Sequence, residues 1–183
     1  MNMARVRYLI SLHFLIIVLA YFTAGVAHAN TSMDDGAIIA IYNQVNTFDI
    51  ETAGLGIAQA KDQRVKALAQ MVQKDHTAVR QMAADLALKM KVARHLPASR
   101  VAAMRQHAKA YEALANKSGA EFDKAYLLHE IEFHTTAIDA VKTILIPAAK
   151  NAELRDLMKK ILPGFEHHLA ETKRVARELG YYK

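Results

Sequence analysis

Four long segments of this chain place apolar residues three or four positions apart, and none sustains the every-second-residue alternation of a strand. That period admits only helices with one face turned inward. The chain has few residues able to interrupt them, with seven glycines and three prolines in 183 positions. Its abundant Ala, Leu, Lys, Gln and Glu favour helix intrinsically.

The first helix is predicted from about Asp35 to Ala60, with Asp34 as N-cap and Ile41, Val45, Phe48 and Leu55 as its stripe. Gly54 and Gly56 interrupt it and mark the close approach of a neighbour. Asp62 caps the second helix, whose stripe runs Val65, Ala69, Val72, Val79, Ala83, Leu86, Met90. So short a connection makes an antiparallel hairpin. A crossover from about Lys91 to Lys117 contains Pro97 and a short helix capped by Ser99. The third long helix opens on Ser118-Gly119-Ala120-Glu121, the spacing of a capping box, and Pro147 ends or kinks it. Asn151 caps the fourth, which contains Pro163 and stops at Gly180. The predicted fold is all-α: a ferritin-like four-helix bundle, two antiparallel hairpins joined by a long crossover containing a short helix.

The N-terminus has a different pattern. Arg5 and Arg7 precede an apolar run of about 15 residues, Tyr8 to Phe22, and Ala27-His28-Ala29 is a small-x-small cleavage signal. A bilayer-spanning helix needs roughly 20 apolar residues. Residues 1–29 are therefore predicted to be a signal peptide and residues 30–183 one domain, exported to the periplasm, with no later segment able to span a membrane. Losing Arg5 and Arg7 lowers the formal charge from +6 to +4. That charge is scattered, with no basic block or aromatic–basic interleaving that argues for nucleic acid. There is no cysteine, so disulfides, thiolate ligands and cysteine lipidation are excluded. Any metal must be held by His, carboxylate or Met.

Each stripe is interrupted by a polar residue. His76 lies between Val72 and Val79, His134 between Ile131 and Ile138, and His168 between Phe165 and Thr172. Glu51 follows Phe48 by three and precedes Leu55 by four. Residues so spaced share a helix face, so all four are predicted to point inward. A buried charge or unpaired imidazole is costly and needs a partner. Counting from the turns puts each pair within roughly one helical turn in depth, near 6 Å at 1.5 Å per residue. Four convergent polar groups, one per helix, are how bundles build metal sites; a buried hydrogen-bond network is the competing reading.

Weaker candidates surround them. Glu130, one turn before His134, can supply or orient a ligand, and Asp75 adjoins His76. His129 and His167 face outward or flank the site, and His95 and His107 read as surface. Met71, Met82, Met90, Met104 and Met158 read as core filling, and Tyr126 as a core hydrogen-bonding group. The chain has no G-x-S-x-G, P-loop, H-E-x-x-H or EF-hand loop.

Three runs carry a resemblance. Ala69-Gln-Met-Val-Gln-Lys-Asp-His76, Glu121-Phe-Asp-Lys-Ala-Tyr126 followed by His134, and Leu162-Pro163 followed by His168-Leu169 together resemble the signatures of the bacterial domain-of-unknown-function family 4142. The resemblance covers essentially the whole chain after the leader. It implies an exported ferritin-like bundle, labelled an outer-membrane protein, with no established activity. It places recurring polar positions at Glu51, Asp75, His76, His134 and His168. The chain departs from ferritin-like di-iron enzymes, which carry Glu-x-x-His on two helices. Gln73, Ile131 and Phe165 stand three residues before the three histidines.

A His-rich, carboxylate-poor set suits one zinc, copper, nickel or iron ion. The first expectation is an exported periplasmic protein that binds a transition metal through Glu51, His76, His134 and His168 for sequestration, delivery or sensing. The alternatives are a metal-dependent oxidoreductase on the same residues and a metal-free structural or stress-related envelope protein. Homodimerisation and outer-membrane association stay open.

Overall fold

The computed structural model describes residues 33–183. The predicted signal peptide lies outside the described residues. Five long helices follow: α1 Asp35–Gln59, α2 Gln63–Met90, α3 Arg100–Ala115, α4 Gly119–Ala140 and α5 Ala152–Glu178. No strand occurs among the described residues, and no helix among them is long and apolar enough to cross a membrane. Helices α1 and α2 form one hairpin, α4 and α5 the other, and α3 lies within the crossover.

Three caps act as predicted. Asp34 accepts from the Ala37 amide at 2.8 Å, Asp62 from Arg64 at 2.9 Å and Asn151 from Leu154 at 3.1 Å. Each satisfies an amide that the first turn of a helix leaves unpaired. The other two predicted caps do not form. Neither Ser99 nor Ser118 makes a side-chain cap bond. Glu121 turns away to Lys117 at 2.5 Å, and Gly119 takes a left-handed φ of 58°. The capping box is therefore a sequence coincidence.

Each hairpin turn is tied down by an aspartate from the other hairpin. Asp123 at the start of α4 accepts from the amides of Lys61 and Asp62, both at 2.9 Å, in the α1–α2 turn. Asp35 at the start of α1 accepts from Lys150 at 2.8 Å and Asn151 at 3.1 Å in the α4–α5 turn. These reciprocal bonds satisfy turn amides and fix the hairpins in depth against one another. Gly56 permits the close approach predicted for it: a Cβ there would lie 2.6 Å from Ala69 Cβ and 2.9 Å from Tyr126 Cζ. Gly54 shows only ordinary contact, with Gln73 at 3.7 Å.

α4 does not run to Pro147 as a regular α-helix. It passes at Val141–Leu145 into a π-helical turn, then a single α turn at Ile146–Ala148. Pro147 has no N–H to donate to the preceding turn, so the regular ladder must slip before it. α5 continues through Pro163 without a break.

The core has three layers along the bundle. Ile38, Tyr42, Val79, Ile138, Leu154 and Met158 belong to one apolar cluster. Leu55, Val65, Phe122, Tyr126, Leu127 and Val175 belong to the other. The intervening positions are polar on the four helices of the two hairpins: Asn46, Asp49 and Thr52 on α1, His76 on α2, Glu130 and His134 on α4, His168 and Thr172 on α5. Met158 is fully buried, whereas Met82 and Met104 are exposed and fill no core.

Candidate metal centre

The polar layer can exist only if its groups are matched, because each unpartnered buried polar group costs about 1–3 kcal/mol. His76, His134 and His168 are 3%, 1% and 1% exposed, and Asp49 and Glu130 are fully buried. The three imidazole centroids form a near-equilateral triangle with sides of 5.2, 5.5 and 5.6 Å.

Each ring is held by one nitrogen. His76 Nδ1 lies 2.8 Å from Asn46 Oδ1. The Asn46 amide nitrogen donates to Tyr42 O at 2.7 Å, which leaves Oδ1 as an acceptor and makes His76 Nδ1 the donor. His134 Nδ1 donates to the Glu130 carbonyl at 3.1 Å, and His168 Nε2 donates to Asp75 Oδ2 at 3.0 Å. A neutral imidazole with one N–H committed keeps a lone pair on its other nitrogen. Those nitrogens, His76 Nε2, His134 Nε2 and His168 Nδ1, turn inward. Fixing ring and tautomer through the outer nitrogen is how metal-ligating histidines are oriented.

The inward groups approach one another closely. His76 Nε2 and His168 Nδ1 face each other at 3.3 Å, an approach of two acceptors once their outer nitrogens carry the protons. Asp49 Oδ2 lies 2.9 Å from His76 Nε2 and 3.4 Å from His134 Nε2. His134 Nε2 is buried without a hydrogen-bond partner, whereas Asp49, buried beside it, draws on both His76 and Glu130. The 3.3 and 3.4 Å separations are close to the edge of a tetrahedron with bonds of about 2.0–2.1 Å, which is about 3.3 Å. Two groups can hold a metal ion: His76, His134 and His168, and Asp49, Glu130 and His134.

Electrostatics favour the ligating forms. Burial pushes His134 down to about 4, against the pull of Asp49, so its ring is neutral at pH 7. Burial lowers His168 as well, against the pull of Asp75. Burial alone would raise Asp49, but His76, His134 and Glu130 beside it hold its carboxyl below the usual range, the Coulombic part of that pull fading as the imidazoles lose their protons. Glu130 moves the other way. Burial and the adjacent Asp49 push its carboxyl well above the usual range. Thr52 Oγ donates to Glu130 Oε1 at 3.3 Å.

Three of the four predicted ligands, His76, His134 and His168, come together. The fourth needs correction. Glu51 is exposed, and His107 Nε2 lies 2.6 Å from its carboxylate on the outside of α1. Glu51 does share the face of Phe48, but that face is turned to α3, where Phe48 stacks on His107 at 4.1 Å. The axis of the bundle is faced instead by Tyr42, Asn46, Asp49 and Thr52, spaced four, three and three apart. That polar row was the available signal for Asp49, and it is masked because α1 is buried on several sides. Asp75 and Glu130 serve as supports, Asp75 on His168 and Glu130 through its carbonyl on His134. His107 is not the surface group expected, since its side chain is 10% exposed. His95 and His167 are exposed. The Tyr126 hydroxyl is buried without a hydrogen-bond partner, contrary to expectation.

Fold and site together define a ferritin-like helical bundle with a buried histidine–carboxylate centre. The chain belongs to the family described as "Domain of unknown function (DUF4142)", whose model matches residues 22–175. Among solved structures it is similar to a DUF305 fragment from Deinococcus radiodurans, at TM-score 0.65 and 14% identity, covering 79% of this chain and 94% of that one. That likeness shows the fold. No curated protein matches the chain.

Proposed function

We propose that this protein binds one transition-metal ion through His76 Nε2, His134 Nε2, His168 Nδ1 and a carboxylate oxygen of Asp49. The carrying observation is that three buried imidazoles, each with its outer N–H already committed, bring ligand atoms within 4.8 Å of one another, with Asp49 Oδ2 2.9 Å from His76 Nε2 and 3.4 Å from His134 Nε2. Three neutral imidazoles and one carboxylate suit zinc, copper, nickel or iron. Asp49 replaces Glu51 in this set. The physiological reading is sequestration, delivery or sensing of such an ion in the cell envelope. The leader pattern over residues 1–29 supports export to the periplasm.

A second reading, a metal-dependent catalyst, is favoured by one observation. A cavity of about 410 Å³ is lined by Asp49, His76 and His134. A metal reached by such a cavity can keep a coordination position for a substrate.

The test is elemental analysis of the protein expressed from its full sequence without a histidine tag. It is paired with calorimetric titration of zinc, copper, nickel and iron into wild type and a His76→Ala/His134→Ala variant. One equivalent bound tightly and lost in the variant is expected. Equal binding by both proteins would overturn both metal readings and leave the polar layer as a structural network.

A further inference from the structure

The cavity that reaches Asp49 and His134 also has a composition of its own. Its walls are apolar and aromatic: Ile41, Val45 and Phe48 from α1, Phe133 from α4, Leu145 from the π turn, and Phe165 from α5. α3 covers it with Gln106, His107 and Ala110. A volume of about 410 Å³ lies within the roughly 300–1,000 Å³ of small-molecule sites.

Four polar atoms of lining residues are buried without a hydrogen-bond partner: Tyr42 Oη, Gln106 Oε1, His129 Nε2 and Glu132 Oε1. Tyr42 is 2% exposed. At the floor, His134 Nε2 is likewise unmatched, beside the buried Asp49 carboxylate. Native proteins leave few such groups. Most of these atoms accept hydrogen bonds, and few donate. Beside them, the Val141–Leu145 π turn contributes Val141 and Leu145 to the wall. Single π turns inside helices occur frequently at functional sites.

We propose that this cavity binds an uncharged aromatic molecule bearing a hydroxyl group, a phenol, with the hydroxyl at the Asp49–His134 floor. The aromatic walls take the ring. The acceptor-rich floor takes a donor head. At the Asp49–His134 end a carboxylate would meet Asp49, while of the two cations that line the cavity, Arg100 and Lys109, Arg100 is already bonded to Gln44; an ammonium would lose its hydration among apolar walls. A phenolic oxygen also suits an open position on the metal. That last contact rests on the metal-centre reading, in which a bound metal takes up Asp49 and His134; the cavity and the unmatched atoms of Tyr42, Gln106, His129 and Glu132 do not.

2-Naphthol is a direct probe, because the chain has no tryptophan to mask its emission. It is titrated by fluorescence into the full-chain protein, zinc-loaded and metal-stripped, beside displacement by 2-methylnaphthalene and 2-naphthoate. Saturable 1:1 binding is expected in both forms, with both comparators at least tenfold weaker. Ala137→Phe on α4 and Ala110→Phe on α3 fill the cavity from opposite walls. With helicity confirmed by circular dichroism, each is expected to weaken 2-naphthol at least tenfold and leave zinc stoichiometry unchanged. No saturable binding to either form overturns the proposal. So does equal affinity for 2-methylnaphthalene, or unchanged affinity in both filled variants. Absence of metal at the centre is read separately by elemental analysis, so a failed metal reading and a failed cavity reading are distinguishable.

Discussion

The two sides of the buried polar layer are finished differently. Toward α2 and α5, His76 and His168 each have one nitrogen tied to an oxygen, at 2.8 Å on Asn46 and 3.0 Å on Asp75. His76 also lies flat against Phe165, with centroids 4.8 Å apart. Toward α1, α3 and α4, Tyr42, Gln106, His129 and Glu132 keep polar atoms that meet nothing. The tied side has the marks of ligands locked in orientation before an ion arrives. The untied side has the marks of a surface that receives a molecule. Burial has the same sign on both sides; what differs is whether the fold itself supplies the hydrogen-bond partners.

The largest effect is loss of the imidazole that lies between the two sides, tied at Nδ1 and unmatched at Nε2. His134→Ala is expected to weaken zinc binding by more than about 100-fold, beyond the roughly 10–100-fold that loss of a supporting group costs. Calorimetry reads it, and a change below threefold would remove His134 from the centre. Asn46→Ala tests the tie itself. It leaves His76 Nδ1 without its acceptor, with an expected loss of about 10–100-fold in zinc affinity. It also costs about 1–3 kcal/mol in unfolding free energy for a buried unmatched group. Urea melts with and without zinc separate the two.

A smaller effect is set by pH. His129 and His134 are each pushed by burial to about 4, below the unfolded value of about 6.5. The unfolded chain therefore binds more protons between those values, and stability falls as pH drops through them. Metal-free protein is expected to lose up to about 1.4 kcal/mol per pH unit per histidine from pH 6.5 toward 4, and none of this on going from pH 7 to 8. Thermal melts across that range check it; a flat profile below pH 6.5 would mean these imidazoles are not held neutral. The smallest effect separates neighbours on one helix. Glu51→Gln is expected to leave zinc affinity within about twofold, because its partner is His107 at 2.6 Å and exposed pairs contribute about 0–1 kcal/mol. A 100-fold loss there would return Glu51 to the centre in place of Asp49.

The histidines were readable because α2, α4 and α5 each bury one face, so a polar residue inside a three-four stripe has only one direction to point. α1 gave no such guide. It contacts α2, α3 and α4, and both Phe48 and Asp49 are buried. Its stripe therefore named one of two buried faces, and Glu51 followed the one turned to α3. Caps divided the same way. Asp34, Asp62 and Asn151 act on amides within a few residues, while Asp123 and Asp35 serve turns more than 60 and 110 positions away.

By itself the sequence determined the helices, their hairpin order, the three inward histidines and the absence of thiolate chemistry. These follow from local periodicity, local capping and residue type, which act over one or two helical turns. The tertiary structure alone decided that Asp49 rather than Glu51 lies beside the buried histidines, which nitrogen of each imidazole faces inward, and that α3 covers a cavity lined by Asp49 and His134. Those outcomes depend on which face of α1 each neighbour covers and on hydrogen bonds between helices far apart in the chain. A helical period fixes a residue's angle about its own axis; only packing fixes what lies in that direction.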